Sequence, residues 1–437
     1  MNLPYIAIEQ QSIDVLLSPK AYKAALLNYI SQARKRIYIT ALYLQDDDAG
    51  REILNALYLA KQETPQLDVC VFVDAHRAQR GLIGEKEQLG NRAMYLAFDK
   101  KYQENINIYG IAVKSKELLG VLHLKGIVFD NTLFYSGASI NDVYLHQEDK
   151  YRLDRYYQLE SPALADSFCQ YLSSCFIRSG VAINLLDQQP LTKKQSKDKS
   201  KKTKVIVKNA IYTFAESQAD TELKITPLVG CGKRRNLLNK QICQLLKQST
   251  DNIILFTPYF NLPRVVTRQL VLALKRGVMV TIIVGDKKAS DFYMADQEKF
   301  SLIGIIPYIY EQILRRFIKR WQKFISTGQL TFKLWQDGEN SYHLKGMVVD
   351  DSYHLLTGSN LNPRAWNLDL ENGLLIQDNH KRLLAKFNQE LSVICQQTKD
   401  ITHYQQIESP SDYPLKPRKI LMRLSMSKID KLLKRFL

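Results

Sequence analysis

The chain has 437 residues, which is enough to bury a substantial core and to form two or three domains. Hydrophobic residues make up 45% of it and charged residues 24%, as in ordinary globular proteins, and no apolar run approaches the ~20 residues that span a bilayer. The first twenty residues lack the basic region and the small-residue cleavage site of a signal peptide, so we expect a cytoplasmic protein.

The formal net charge is +17, which at first suggests a nucleic-acid-binding protein. Its distribution argues otherwise, because residues 193–204 hold seven Lys and one Asp, and residues 416–437 hold eight Lys or Arg and one Asp. The rest of the chain is nearly balanced, so we expect no specific nucleic-acid partner. The six cysteines are scattered and the histidines show no zinc-site spacing, so the sequence predicts no metal and no cofactor.

The predicted elements follow one order in both halves of the chain. In the first half, helical patterns at 21–33 and 51–62 alternate with strands at 37–40 and 69–74. In the second half, helical patterns at 236–249 and 264–277 alternate with strands at 253–257 and 280–284. Alternation of this kind predicts βαβ units. We therefore predict an α/β protein with two similar lobes, each a mainly parallel mixed sheet flanked by helices.

The predicted domain boundaries follow the composition of the chain. Residues 1–190 form the first lobe and residues 205–400 the second. Between them, the lysine-rich stretch at 191–204 has few apolar residues and is predicted to be a solvated linker. Residues 401–437 form a basic amphipathic tail.

Each lobe contains one His-x-Lys-x4-Asp motif, followed by a Gly-x-x-x-Asn segment. The motif residues are His123, Lys125 and Asp130 in the first lobe, and His343, Lys345 and Asp350 in the second. The asparagines that follow are Asn141 and Asn362. Because successive side chains of a strand alternate between its faces, His and Lys two residues apart project into the same cleft. A lone strand histidine is usually structural, but two complete copies at matching places favour a catalytic function.

These paired motifs resemble those of the phospholipase D superfamily. Within it, the segments HLKGIVFDNTLFYSGASINDVYLHQEDKYRLDRY, VDAHRAQRGLIG and GSNLNPRAWNLDLEN are similar to the bacterial phosphatidylserine synthases, which are CDP-diacylglycerol–serine O-phosphatidyltransferases. The resemblance covers nearly the whole chain. It implies phospholipase D-type lobes with one active site at their interface, and CDP-diacylglycerol and L-serine as substrates.

The resemblance also implies roles for the motif residues. One histidine attacks phosphorus to form a covalent phosphohistidine, and the other acts as general acid and base. By analogy, we assign the nucleophile to His123 and the acid/base to His343, although the sequence symmetry does not decide between them. The two motif lysines and the two asparagines hold the phosphate oxygens.

Acidic residues complete the predicted catalytic set, because the superfamily orients its histidines with a carboxylate downstream of each motif. Glu371 fits the second copy, and Asp154 fits the first, with Asp149 as an alternative. Asp130 and Asp350 are predicted to be structural, although Asp351 is an alternative to Asp350 because the second copy has one extra residue before its glycine.

Substrate contacts are predicted next to the motifs and after the strand that ends at Asp74. Ser359 is expected to contact phosphate, whereas the first copy has Ala138 at that place, so this contact is either missing there or supplied by Ser139. A CDP-linked substrate needs further cations, and the loop after a strand end is a usual ligand site in α/β sheets. We therefore expect pyrophosphate or cytidine contacts from that loop, with a weaker expectation for Lys287 and Lys288 in the other lobe. The loop residues are His76, Arg77 and Arg80.

The lipid substrate also requires access to a bilayer. Residues 305–324 and the tail from Arg418 both mix large apolar residues with cations, which is typical of amphipathic helices on anionic lipid. We expect a peripheral and reversible association with the inner face of the cell membrane. Packing of the first segment into the core and docking of the tail onto the body are the alternatives, and the sequence leaves oligomerisation open.

Other functions remain open within the superfamily. Water as the acceptor would make the protein a phospholipase D, and another phospholipid would make it a cardiolipin synthase. A nuclease is less favoured because the body carries little net charge. Binding of polyanions without catalysis is disfavoured because it does not require two intact His/Lys/Asn sets.

Overall fold

The computed structural model describes residues 3–79, 90–187, 192–217, 223–295 and 300–426. Its strands are β1 (Ile6–Ile8), β2 (Ile13–Leu16), β3 (Arg36–Thr40), β4 (Asp68–Asp74), β5 (Asn107–Ile111), β6 (Gly126–Phe129), β7 (Thr132–Ser136), β8 (Arg152–Leu153), β9 (Tyr156–Glu160), β10 (Ile183–Asn184), β11 (Leu223–Cys231), β12 (Asn252–Thr257), β13 (Met279–Gly285), β14 (Leu330–Trp335), β15 (Ser341–Tyr342), β16 (Gly346–Val349), β17 (Tyr353–Thr357), β18 (Leu370–Asp378) and β19 (Thr398–Ile401).

Helices surround these strands. They are α1 (Pro19–Gln32), α2 (Asp48–Glu63), α3 (Ala75–Ala78), α4 (Arg92–Tyr102), α5 (Asp142–Leu145), α6 (Pro162–Leu172), α7 (Lys193–Val207), α8 (Leu237–Gln248), α9 (Arg264–Lys275), α10 (Ile306–Arg320), α11 (Gln322–Ser326), α12 (Pro363–Asn367), α13 (Leu384–Cys395) and α14 (Leu415–Met426). Local signals explain their positions. For example, Ser18 caps α1 by accepting a hydrogen bond from the Ala21 amide, and Tyr22, Leu26 and Ile30 form its buried stripe.

Two mixed sheets form the two lobes, so the predicted two-lobed α/β fold is confirmed. The first sheet has the order β10-β5-β4-β3-β6-β7-β9-β2, and the second has the order β1-β11-β18-β17-β16-β12-β13-β14-β19. The expectation of mainly parallel sheets is wrong. Within these two sheets, parallel pairing is confined to β3-β4-β5 and β12-β13-β14, where helices connect successive strands, whereas the remaining pairs are antiparallel. The antiparallel hairpins β6-β7 and β16-β17 directly follow the motif segments and need no helical crossover.

Strands of the first lobe also pair with strands of the second. Strand β1 belongs to the first 190 residues of the chain, yet it pairs with β11 at the edge of the second sheet. Strand β8 from the first lobe pairs in parallel with β15 from the second. The two sheets are therefore tied together by strand pairing as well as by side-chain packing.

The lysine-rich segment differs from its prediction as a solvated linker, because the structure contains the helix α7 there. Thr192 and Gln195 form a capping box at its start. Ser200, Thr203 and Val207 are buried on one face, while Lys199 and Lys202 donate hydrogen bonds to backbone carbonyls of residues 179–182. Small hydroxyl residues at helical spacing thus supply the packed face, which an analysis of apolar residues alone overlooks.

The two segments considered for membrane contact pack against each other and against the body. Tyr308, Ile309, Leu314 and Ile318 of α10 are buried in the second lobe. Leu421 of α14 is buried in the same cluster, with Ile420 and Leu424 packed beside it. The apolar face of α10 is therefore largely covered by protein, whereas α14 is covered on the side of Leu421 and exposes other apolar side chains. Among the described residues, no helix combines the length and the apolarity needed to cross a bilayer.

Candidate active site

The two motif segments leave their sheets and cross to the opposite lobe. Gly126 and Gly346 open β6 and β16 with φ angles of 129° and 115°, a region that residues with a Cβ rarely adopt. A Cβ at residue 346 would lie 2.3 Å from the Leu355 carbonyl oxygen. The His-x-Lys segment therefore precedes each sheet strand instead of lying within it, which corrects the expectation that the motif is part of the strand.

Each crossing segment forms backbone hydrogen bonds with the other lobe. The His123 amide donates to the Leu370 carbonyl at 2.9 Å, and the His343 amide donates to the Leu153 carbonyl at 2.9 Å. The buried Asn372 side chain adds a pair of 2.8 Å hydrogen bonds to the backbone of Lys125. Leu370 precedes Glu371, and Leu153 precedes Asp154. Each histidine is therefore held at the lobe interface by the residue just before an acid of the other lobe.

The carboxylates are consequently exchanged between the lobes. Glu371 of the second lobe lies 2.9 Å from Nδ1 of His123 through both carboxylate oxygens. Asp154 of the first lobe lies 3.3 Å from Nδ1 of His343. Assigning each acid to the motif that it follows is therefore wrong, although both acids lie in the site. Asp149 is exposed on the surface and makes neither contact.

Lysines and hydroxyls surround the histidines. Lys345 donates to Asp154 at 2.8 Å and also contacts Nδ1 of His343. The Tyr144 hydroxyl lies 2.7 Å from the same Nδ1. On the other side, Lys125 donates to the Ser139 hydroxyl at 3.0 Å. The predicted catalytic histidines, lysines and acids therefore form one buried cluster.

The asparagines cap short helices beside this cluster. Asn141 Oδ1 accepts from the Tyr144 amide at 3.1 Å, and Asn362 Oδ1 accepts from the Ala365 amide at 2.9 Å. The Asn141 NH2 group also donates to Gln45 Oε1 at 3.2 Å, so one of its two N–H groups is engaged within the protein. Ser359 is buried, and its hydroxyl accepts from the Leu361 amide at 3.4 Å.

Burial dominates the electrostatics of the site. It lowers the pKa of His123 well below its usual value and, with Lys345, lowers the pKa of His343 to about 4. Burial lowers the pKa of Lys125 to about 7 and raises the pKa of Glu371 well above its usual value. Burial alone would raise the pKa of Asp154, but Lys345 and His343 together hold it below its usual value. Burial thus shifts Lys125 and Glu371 toward their neutral forms, whereas Asp154 is held in its charged form by its neighbours.

The predicted nucleotide loop is only partly described. His76 lies at the end of β4, and its Nε2 hydrogen-bonds with the Lys114 carbonyl at 2.9 Å. Arg77 forms a 2.8 Å ion pair with Glu117 and lies 6.0 Å from the centre of the Tyr43 ring. Arg80 lies outside the described residues. Lys287 is buried and paired with Glu311 at 3.1 Å, which makes it part of the packing of the second lobe.

Sequence reasoning missed several residues near His343. These are Tyr144, Arg152, Tyr259, Asp291 and, on the His123 side, Arg364. Tyr144, Arg152 and Arg364 lie in segments that resemble the bacterial phosphatidylserine synthases, but Asp291 carried no local signal. In the ranges that the structure describes, no group of three or more His, Cys, Asp or Glu side chains has an arrangement that could hold a metal ion.

The motif acids lie outside the cluster. Asp130 accepts hydrogen bonds from the amides of Arg34, Lys35 and Arg36 at 2.8–3.0 Å. Asp350 accepts from the amides of residues 250–252, at 2.8 Å for Asp251. Each acid thus fastens the end of a motif hairpin to the start of β3 or β12.

This geometry defines a class of protein, in which two lobes place paired His-Lys motifs in one phosphodiester-processing site. Comparison of this chain with known proteins supports this class. The family model described as "Cardiolipin synthase, PLD-like domain" matches residues 26–143 and 242–406. The CDP-diacylglycerol–serine O-phosphatidyltransferase PssA of Escherichia coli is 44% identical over 100% of this chain and 97% of its own length.

A second relative extends the comparison to structure. The CDP-diacylglycerol–serine O-phosphatidyltransferase of Haemophilus influenzae is 43% identical over 100% of this chain and 97% of its own length. The crystal structure of phosphatidylserine synthase from that organism superimposes with a TM-score of 0.95 at 41% identity, covering 100% of this chain and 98% of the other. The chain therefore belongs to the phospholipase D superfamily, in the branch that contains these phosphatidyltransferases, and the resemblance noted from its motifs is confirmed.

We predict that Asp350→Ala destabilises the fold without removing catalytic chemistry. Three backbone amides would lose their charged acceptor, so the free energy of unfolding should fall by about 2–4 kcal/mol, measured by urea titration. Asp351→Ala is the matched control. Its partner is Lys381 at 3.3 Å on the surface, so the loss should be below about 1 kcal/mol. Loss of activity in Asp350→Ala with unchanged unfolding would assign this residue to catalysis instead.

We also predict that a nucleotide ligand changes the titration of His343. In the free protein burial and Lys345 favour the neutral ring, with a pKa of about 4. Bound phosphates stabilise the imidazolium, so CDP should raise this pKa toward its usual value near ~6.5, as followed by NMR of the ring carbons. His354, whose pKa burial lowers to about 4 in the core of the second lobe, is the control and should not respond. An unchanged His343 in CDP-saturated protein would contradict the prediction.

Proposed function

We propose that the protein transfers the phosphatidyl group of CDP-diacylglycerol to L-serine and releases CMP. The observation that carries the proposal is the pair of His-Lys sets in one buried site, each with a carboxylate from the opposite lobe. Full-length identity of 44% to an Escherichia coli enzyme named for this reaction supports the choice of substrates.

The proposed reaction has two in-line displacements. In the first, Nε2 of His123 forms a bond to the phosphorus that carries diacylglycerol. The bond from this phosphorus to the bridging pyrophosphate oxygen breaks, and His343, as the imidazolium that the substrate phosphates stabilise, gives its Nε2 proton to the departing CMP. In the second, the serine hydroxyl oxygen bonds to phosphorus and the phosphorus–nitrogen bond breaks. His343 takes the hydroxyl proton, so both histidines return to their starting states.

Hydrogen-bond partners support His123 as the nucleophile. Both oxygens of Glu371 lie 2.9 Å from its Nδ1, so this nitrogen donates its proton and the lone pair of Nε2 faces the cleft. At His343 the partners of Nδ1 include the donors Tyr144 and Lys345. These donors favour the Nε2–H form of the neutral ring, and Asp154, 3.3 Å from Nδ1, accepts the Nδ1 proton once the substrate phosphates make the ring an imidazolium. In the proposed resting state the two neutral rings thus favour different tautomers although their motifs are the same.

The lysines and asparagines are suited to phosphate. Lys125 and Lys345 supply charge at the bottom of the site, and the NH2 groups of Asn141 and Asn362 supply neutral donors on either side. Because the site excludes water, these groups act at low dielectric and are already in position before charge develops. The lowered lysine pKa values rise again when a dianionic ligand enters.

We predict a phosphatidyl adduct on His123 when CDP-diacylglycerol is mixed with protein in the absence of serine. Mass spectrometry of protein quenched without acid should locate it, and addition of serine should discharge it with the appearance of phosphatidylserine. His123→Gln should show neither the adduct nor the release of CMP.

The same assay separates the alternatives. An adduct on His343 would reverse the assigned roles but keep the reaction. Phosphatidic acid formed at equal rates with and without serine would identify a phospholipase D. Absence of both an adduct and CMP release in the wild-type protein would contradict the proposed function.

We further propose that the protein binds the anionic inner face of the cell membrane reversibly through α14. Leu415, Met422 and Met426 expose 61%, 58% and 70% of their surface on the side opposite Leu421. Arg418 and Lys419 are exposed on the same short helix. Apolar side chains among cations suit the boundary between headgroups and acyl chains, and the docked face holds the helix to the body.

We predict that Met422→Ser/Met426→Ser reduces sedimentation with vesicles containing phosphatidylglycerol by about tenfold. Activity on CDP-diacylglycerol in detergent micelles should be unchanged, because the micelle delivers lipid without a membrane surface. Leu59→Ser, which removes a 44%-exposed side chain from α2, is the control and should bind vesicles normally. Equal sedimentation of all three proteins would exclude α14 as the contact.

A further inference from the structure

A charged pair beside His343 has no role in the reaction described above. Arg152 lies in β8, two residues before Asp154, and Asp291 follows strand β13 in the other lobe. Their side chains retain 14% and 20% of their accessible surface. They are thus set at the lobe interface, mostly covered but within reach of a small molecule.

The pair is held apart by other partners. Arg152 Nη2 lies 3.6 Å from Asp291 Oδ2, beyond hydrogen-bond distance. Arg152 Nε donates to the Ser341 hydroxyl at 3.1 Å, and Asp291 Oδ1 accepts from the Tyr259 hydroxyl. Arg152 and Asp291 are thus fixed by other partners, and no hydrogen bond joins Arg152 Nη2 to Asp291 Oδ2.

A purely structural ion pair in the same protein looks different. Arg155 and Glu390 form two hydrogen bonds, at 2.9 Å and 2.7 Å, with the Tyr157 hydroxyl completing the cluster. That pair is closed by two hydrogen bonds, whereas Arg152 and Asp291 form an ion pair at 3.6 Å without one and keep part of their side-chain surface accessible.

Two tyrosines connect the open pair to His343. The Arg152 guanidinium carbon lies 4.8 Å from the centre of the Tyr144 ring, and the Tyr144 hydroxyl is 2.7 Å from Nδ1 of His343. The Tyr259 ring, whose hydroxyl contacts Asp291, lies 6.2 Å from the His343 ring. The pair is therefore one side chain away from the histidine that handles the proton of the acceptor.

We propose that Arg152 and Asp291 bind the zwitterionic head of the acceptor amino acid. The guanidinium pairs with its carboxylate, the Asp291 carboxylate pairs with its ammonium, and the hydroxyl then reaches Nε2 of His343. The inference rests on the proposed function, because it assigns a subsite to the second displacement of that reaction.

The charges favour a zwitterion over a nucleotide phosphate at this place. A phosphate bound to Arg152 would lie beside the carboxylate of Asp291, which repels it in a poorly solvated setting. An amino acid presents both charges on one carbon and satisfies both groups. A hydroxyl compound without an ammonium would leave Asp291 without its partner, and a site built for a polar group rejects analogues that lack it.

The test compares steady-state constants of Asp291→Asn and wild-type protein in detergent micelles. The substitution keeps the shape of the side chain and the acceptor oxygen for Tyr259 but removes the charge. We expect the KM for serine to rise at least about tenfold, while the KM for CDP-diacylglycerol and the melting temperature stay near wild type. Arg152→Lys, which keeps the charge but loses the planar fork, should raise the KM for serine by a smaller factor.

Asp400→Asn is the matched control, since it removes one carboxylate from a surface pair with Lys333 and should leave both constants unchanged. A parallel rise of both KM values, or a lowered melting temperature with a normal KM for serine, would overturn the inference and leave the proposed reaction intact. An unchanged KM for serine in Asp291→Asn would overturn it as well. Failure of the wild-type protein to make phosphatidylserine would instead refute the proposed function itself.

Discussion

The active site depends on contacts that each lobe makes with the motif histidine of the other lobe. The backbone of each motif histidine pairs with the other lobe one residue before that lobe's acid. Glu371 thereby reaches His123, and Asp154 reaches His343. Neither lobe holds a histidine with its carboxylate by itself, so the chemistry is a property of the joined pair. An extended strand from the first half, β1, and the β8–β15 pairing add backbone hydrogen bonds that keep the lobes in register.

The cost of this arrangement is the burial of charge. Two lysines and two acids lie in a region with little water, where an isolated charge is strongly disfavoured. Asp154 stays ionised because Lys345 is 2.8 Å away, whereas Glu371 and Lys125 have pKa values displaced toward their neutral forms. In the proposed function, a substrate with two phosphates restores the lysine charges, so its binding also activates the site.

Duplicated motifs became chemically different through their surroundings. His123 faces a carboxylate alone, and His343 faces a carboxylate together with Tyr144 and Lys345. A proton donor next to Nδ1 favours the opposite tautomer from an acceptor at that position. In the proposed reaction, the two motifs therefore have the same pattern of residues but different roles. The same asymmetry places Arg152 and Asp291 on the His343 side, where the acceptor must lose its proton.

A feature could be predicted from the sequence where its signal lies within a short stretch of the chain. The repeat of helices and strands and the two motifs are contained in short windows, so the lobes and the identity of the clustered residues were predictable. The exchange of acids was not, because spacing along the chain favours a partner in the same lobe, and only the kink at Gly126 and Gly346 turns each motif to the other.

The same reasoning explains the remaining differences. In α7 the packed face includes Ser200 and Thr203 beside Val207, and a search for apolar periodicity reads these hydroxyl residues as solvent-exposed. Asp291 meets Arg152 from a loop of the other lobe, and nothing near either residue in sequence marks the other. Contacts between residues so far apart arise from the packing of whole lobes. A short motif therefore identifies the chemistry of this site, while its specificity lies in residues that only the fold brings together.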